Sequence, residues 1–166
     1  KKLEESEEKY RTLVEESTEI IFSLTDSFII NYISPNIKQY LGYEVEEVLG
    51  KSIFEFLHPE DYQTFQGMLS ESKDFLAEHQ FLEFRLPHKN GEVRIFNSNG
   101  RTILDKDGKS RFYTGVVRDI SKLKQAQAEL LKAKENEEER RRMEQQLIQA
   151  QKLEAIGTLA GGIAHD

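Results

Sequence analysis

The spacing of apolar residues changes repeatedly along the chain, and each change marks an element. Residues 4–16 place Tyr10, Leu13 and Val14 on one face among glutamates, at the spacing of a short amphipathic helix. That face is narrow, so the helix must lean on the following domain or on a copy of itself. Glu19–Thr25 and Phe28–Ile33 are then rich in Ile and Phe. Asp26-Ser27 between them predicts a two-residue turn and a β-hairpin.

A run of short helical patterns follows. Ser34 is expected to cap a helix beginning at Pro35, with Ile37, Tyr40 and Leu41 inward and Gly42 as its stop. Val45, Val48 and Leu49 repeat the arrangement up to Gly50, and Ile53–Leu57 adds one more turn. His58-Pro59 opens a longer helix whose first turn carries Glu60 and Asp61, where the helix dipole favours acids. It is expected to reach about Phe75, with Tyr62, Phe65, Met68 and Leu69 inward.

Three strand patterns come next, Glu78–Pro87, Glu92–Leu104 and Ser110–Ile120. Asn90-Gly91 joins the first two and is a strong hairpin signal. A Gly108-bearing turn joins the last two. Two strands, several short helices and three strands indicate an α+β fold, with one antiparallel sheet and helices on one face.

From Ser121 no proline or glycine interrupts the chain until Gly157. A helix over these last residues would span roughly 68 Å at about 1.5 Å per residue. Ile120, Leu123, Gln127 and Leu130 make one apolar track. Lys134–Arg142 has no apolar residue, and the track resumes at Met143, Leu147 and Ala150. Leu153, Ile156, Ala160 and Ile163 continue it after a break in the alternation, so a phase shift is expected there. A parallel homodimer through this coiled coil is the expected assembly. A solvated single helix is the alternative for the charged stretch, in which Arg140–Arg142 answer Glu137–Glu139 as helical ion pairs.

Composition narrows the chemistry. The 166 residues contain no cysteine, which excludes disulfides, thiolate metal sites and a cysteinyl–flavin adduct. The net charge is −7, and the first 118 residues carry −6 of it, which argues against nucleic acid as a partner. The four histidines are scattered and suggest no metal site. No apolar stretch is long enough to span a membrane, so a cytoplasmic location is expected for this piece. The chain stops inside a helical pattern, and the expectation is a part of a longer protein that could be membrane-anchored elsewhere.

Residues 6–121 resemble a PAS domain. The resemblance rests on the element order and on Tyr-Ile-Ser-Pro-Asn (32–36), Leu-Gly-Tyr (41–43), Leu-Gly-Lys (49–51), His-Pro-Glu-Asp (58–61), Asn-Gly (90–91) and Val-Val-Arg-Asp-Ile-Ser (116–121). The last string is similar to the Asp-Ile-Thr signature that ends such domains, with Ser121 in place of Thr. The resemblance implies an ion pair of Asp119 that ties the sheet to the linker, with Arg94 as its candidate partner; a plain helix cap by Asp119 is the other reading.

Residues 149–166 resemble the phosphoacceptor box of a sensor histidine kinase, through Ala-Gly-Gly-Ile-Ala-His-Asp above all. A histidine in a last helical turn is favoured by the dipole whatever its job. The resemblance implies more: His165 accepts the γ-phosphoryl group of ATP, Asp166 orients or deprotonates the ring, and a response-regulator receiver domain takes the phosphoryl group onward. The ATP-binding catalytic domain and its Mg-ATP lie outside this chain, so the piece alone should be inactive as a kinase. The glycines at 157, 161 and 162 sit in a helical pattern, not after a strand, and form no phosphate loop.

The resulting expectation is an N-terminal helix (1–16), a PAS sensor domain (17–120), a coiled-coil linker (121–152) and the start of the dimerisation and histidine-phosphotransfer helix (153–166). The function expected is sensing and dimerisation for a two-component kinase. The alternative is a free-standing PAS ligand-binding or interaction module with a helical tail. The PAS ligand is left open. Haem is not expected, because the helix after Pro59 offers no axial histidine, and His58, His79 and His88 lie elsewhere; flavin is not expected either. Phe54, Phe56, Phe65, Phe84 and Phe96 are expected to fill the core rather than line a cofactor cavity, leaving an empty or fully packed core, with an unknown small ligand as the second reading.

Overall fold

The computed structural model describes residues 1–15, 17–71, 81–108 and 111–165. Its elements are α1 (Lys2–Glu15), β1 (Ile20–Thr25), β2 (Ile30–Ile33), α2 (Ile37–Leu41), α3 (Val45–Val48), a 3-10 turn (Ile53–Phe56), α4 (Pro59–Glu71), β3 (Leu82–Pro87), β4 (Val93–Leu104), β5 (Arg111–Asp119) and α5 (Ser121–His165). The five strands form one antiparallel sheet in the order β2-β1-β5-β4-β3. The chain divides into two compact units, residues 1–122 and the helical remainder from Leu123. The expected Met68 and Leu69 side chains, His79, and the start of the third strand pattern lie outside the described residues.

Strand alternation explains the core of the first unit. Ile20 and Leu24 on β1, Phe84 and Leu86 on β3, and Phe96 on β4 are buried against Ile37, Leu41, Val48 and Phe65 from the helices. Phe96 is fully buried. Val14 buries the end of α1, while Tyr10 and Leu13 on the same helix are exposed. Leu49 and Tyr62, expected inward, are 40% and 36% exposed.

Two local expectations are corrected. The first hairpin closes through three residues, Asp26, Ser27 and Phe28: Phe28 N–H donates to Thr25 O at 2.9 Å and Thr25 N–H to Ile29 O at 2.9 Å. Phe28 takes the left-handed conformation (φ 60°) that completes such a loop, a position usually given to glycine. The second correction concerns Ser34, which does not cap α2; Asn36 holds the cap position. The Ser34 hydroxyl is completely buried, accepts from Ile21 N–H at 2.8 Å and donates to Asn36 Oδ1 at 2.6 Å. Asn36 Nδ2 in turn donates to Ser17 O and Glu19 O at 2.9 and 2.8 Å. The hydroxyl thus goes where burial would otherwise leave polar groups unsatisfied, rather than to a helix end that other groups satisfy.

Helix α4 is fastened to the edge strand β3 by charge. Arg85 Nε and Nη2 donate to Asp61 Oδ2 and Oδ1 at 3.1 and 2.7 Å, and Arg85 N–H also donates to Oδ2 at 2.6 Å. Glu60 Oε2 lies 2.8 Å from Nη2. The guanidinium holds the Asp61 carboxyl below the usual aspartate range, against the opposing effect of burial.

Two predictions follow from this frame. Gly100 and Gly115 face each other on β4 and β5. A Cβ on Gly115 would meet Asn99 O and, at 2.6 Å, Gly100 Cα. Gly115→Ala should therefore cost about 3 kcal/mol in urea unfolding, whereas Gly67→Ala, with open space around its Cβ on α4, should gain up to about 1 kcal/mol. The lowered pKa of Asp61 means its stabilisation is fully present above its unfolded value and is lost as pH falls through the folded one. Unfolding free energies measured below about pH 4 should fall less steeply with acid in Asp61→Asn than in the wild-type chain; identical slopes would exclude this pair as a source of acid sensitivity.

Candidate functional site

The inner face of the sheet and the helices over it enclose a cavity of about 80 Å³. One water needs roughly 10–15 Å³ by this kind of measure, so a small molecule has room. Among the described residues the wall is aliphatic and aromatic, with hydroxyls from Ser98 and Tyr43 alone. Phe65, Phe84 and Phe96 belong to the buried core, with Phe54 and Phe56 packed against it, and all of these rings but Phe96 also line the cavity. The sequence shows how many rings there are, but only their packing decides whether space is left between them.

Phe28 is the strained part of this wall. A left-handed residue with a Cβ costs about 1–2 kcal/mol. Its ring stacks on Tyr113 at 5.3 Å and tilts against Phe54 at 5.4 Å, and its carbonyl accepts from Ile53 N–H at 3.0 Å. These contacts hold the conformation in place at the edge of the cavity.

The sheet hands over to α5 through a compact polar joint. β4 and β5 pair until Phe96 faces Asp119. Ile120 N–H then donates to Ile95 O at 2.8 Å, and Ile95 N–H donates to Ser121 Oγ at 2.9 Å. The Ser121 hydroxyl therefore serves the strand, and Asp119 Oδ1 accepts Ser121 N–H at 2.9 Å. Asp119 Oδ2 lies 3.5 Å from Arg94 Nη1, with both side chains largely buried. Arg94 Nη1 also donates to Tyr40 O, at the end of α2, at 2.8 Å. Arg94 Nη2 lies 3.4 Å from the exposed Glu92. The two readings of Asp119, helix cap and ion pair, are thus met by its two different oxygens.

Helix α5 is continuous from Ser121 to His165, through all three glycines. Among the described residues, nothing stands within 4 Å of where a Cβ would lie at Gly157, Gly161 or Gly162. Leu123, Leu130, Met143, Leu147, Leu153, Ile156 and Ile163 are all exposed along it. The charged stretch forms helical ion pairs: Arg140 reaches Glu137 at 2.9 Å and Glu144 at 3.2 Å, and Arg141 reaches Glu137 at 3.4 Å. His165 is the last residue of α5; its imidazole and all of Asp166 lie outside the described residues. His165 and Asp166 belong to the helical unit, and Arg94 and Asp119 to the first.

Sequence reasoning missed the Asp61–Arg85 fork, the Ser34–Asn36 network and the Tyr40 carbonyl. An Asp two residues after a helix-opening Pro and an Arg on a strand gave a signal for the first, but nothing paired them. Among the described residues no three His, Asp or Glu side chains gather as a metal site, and no helix is long and apolar enough to cross a membrane.

Comparison with known proteins agrees with this architecture. The sequence model of the PAS fold matches residues 30–117. The two-component sensor PprA of Pseudomonas aeruginosa is 26% identical over 99% of this chain, which spans 16% of that sensor's length. The sensor kinase CckA of Brucella abortus is 43% identical over 56 residues, 34% of this chain and 6% of that kinase. Among solved structures, the PAS domain of an HTR-like protein from Haloarcula marismortui superposes with a TM-score of 0.57 at 27% identity, covering 72% of this chain and 95% of that one. With the sheet and helix order of that fold and a family model that covers more than half of its length, the chain belongs to the PAS fold family.

Proposed function

We propose that this chain is the sensory and dimerising region of a two-component sensor histidine kinase. A change in the PAS domain is relayed along α5 to His165. The observation that carries the reading is the unbroken helix that starts at the last strand of the sheet and ends on the histidine of Ala-Gly-Gly-Ile-Ala-His-Asp. Likeness to a two-component sensor over nearly the whole chain supports it. The exposed apolar positions of α5 support a second copy as partner, because a long helix has little stability on its own. In this reading a ring nitrogen of His165 attacks the γ-phosphorus of ATP, ADP leaves, and Asp166 orients the ring or takes up its proton. A receiver-domain aspartate then accepts the phosphoryl group. ATP is held by a catalytic domain outside this chain.

The cavity is the sensing site in this proposal, and its wall suits a small neutral apolar molecule. Haem needs an axial donor, and no described histidine lines the wall. Benzene, used as an apolar probe, should raise the melting temperature by several degrees when present at about a hundredfold excess over its Kd. Imidazole, a polar ring of similar size, should not; equal shifts would argue against an apolar binding site.

In the full-length kinase, His165→Ala should abolish acid-labile labelling from γ-labelled ATP, while the chain keeps its fold and its dimeric state. Retained labelling would overturn the assignment of His165.

A further inference from the structure

We propose that Phe28 is a specificity-determining plug: its ring closes the hairpin end of the cavity and limits the molecules admitted to about the size of a single ring. The inference rests on the reading of the cavity as a sensing site and adds the size of the ligand that site takes. Phe28 lines the cavity together with Leu24 and Ile30, which flank the loop. Leu24 and Ile30 are each 2% exposed, whereas Phe28 is only partly buried and follows the exposed Asp26 and Ser27. The ring therefore stands between the enclosed part of the wall and solvent.

The loop itself has no need of a phenyl group. Its third residue sits at φ 60°, where glycine is free of strain and a residue with a side chain is not. The backbone is nevertheless pinned around it: Ile53 N–H donates to Phe28 O at 3.0 Å, and Ile29 N–H donates to Thr25 Oγ1 at 3.2 Å. The ring is pinned as well. It lies nearly parallel to the buried Tyr113, with 9° between the planes, and Phe54 leans on it at 57°. Tyr62 on α4 then meets Phe54 edge-on at 5.9 Å. These four rings run from the sheet across the 3-10 turn to α4, so the plug is braced on both layers of the domain. Strain that the surroundings hold in place marks a side chain with a task beyond the turn. Phe65 gives the contrast. It also lines the cavity, but it is buried on α4 and packs edge-on against Phe84 at 5.9 Å. Loss of the Phe65 ring enlarges an enclosed space, whereas loss of the Phe28 ring opens the space lengthwise to solvent.

The test is calorimetric titration of the whole 166-residue chain with two probes, benzene and butylbenzene. The wild-type chain should bind butylbenzene no more tightly than benzene, because the alkyl tail meets Phe28. Phe28→Gly, which suits the backbone at this position, should bind butylbenzene at least tenfold more tightly than the wild type does, since the tail then stays out of water along the opened wall. Phe28→Ala gives the same comparison if that variant fails to fold. Phe65→Ala and Val48→Ala, both inside the wall, should keep the wild-type order of the two probes. Tighter binding of butylbenzene than of benzene by the wild type, no gain on loss of the Phe28 ring, or an equal gain in the two buried variants would each overturn the proposal. Benzene binding by the wild type tests the sensing-site reading separately: its absence would remove that reading, while the butylbenzene comparison would still decide the plug.

Discussion

The antiparallel pairing of β4 with β5 fixes where α5 begins. The ladder runs from Leu104↔Arg111 to Phe96↔Asp119, and the next backbone bond, Ile120 N–H to Ile95 O, is the last the sheet can make. Ser121 Oγ then satisfies Ile95 N–H, so the strand ends with both groups of Ile95 bonded to the chain that is leaving it. Because side chains alternate along a strand, a slip of one residue would turn Asp119 away from Arg94 and bring its neighbour Arg118 to that face. The close approach of Gly100 and Gly115 belongs to the same register, since no side chain fits between those two backbones. The polar joint at Asp119 is therefore a consequence of the register, not an independent ornament.

Around this fixed frame the helices are held by fewer and more local ties. The Asp61–Arg85 fork clamps α4, and the Tyr40–Arg94 bond clamps α2. Both anchor a cavity-lining helix to a strand through an arginine. Between them lies an apolar cavity whose edge contains Phe28 in a conformation that costs energy. A packed core would have no such space, and an open one would not hold the strain.

Much of this fold was readable from period and turn residues. Among the described residues, the change from alternation to helical spacing placed the elements within a few residues, and Gly42, Gly50, Gly91 and Gly108 take the left-handed conformations that suit turn and stop residues. What could not be read were partners distant in sequence. Ser34 resembles a cap from its neighbours Pro35 and Asn36, yet its hydroxyl serves Ile21, thirteen residues back. Arg94 could be matched with Asp119 through a family resemblance, but its second acceptor is the backbone carbonyl of Tyr40, fifty-four residues away. A backbone carbonyl has no residue type, so nothing in the sequence marks it. The cavity was hidden for a related reason: apolar residues announce burial, not how closely they pack.

In the proposed function, helical phase carried from the sheet through α5 decides what happens at His165. This is tested by autophosphorylation of the proposed full-length kinase after insertions within Lys134–Arg142, where ion pairs replace an apolar seam. Seven added residues restore the phase of a heptad seam and four do not. The seven-residue insertion should keep wild-type phosphorylation, and the four-residue insertion should change it by about tenfold or more, whether up or down. Equal phosphorylation of the two would contradict it.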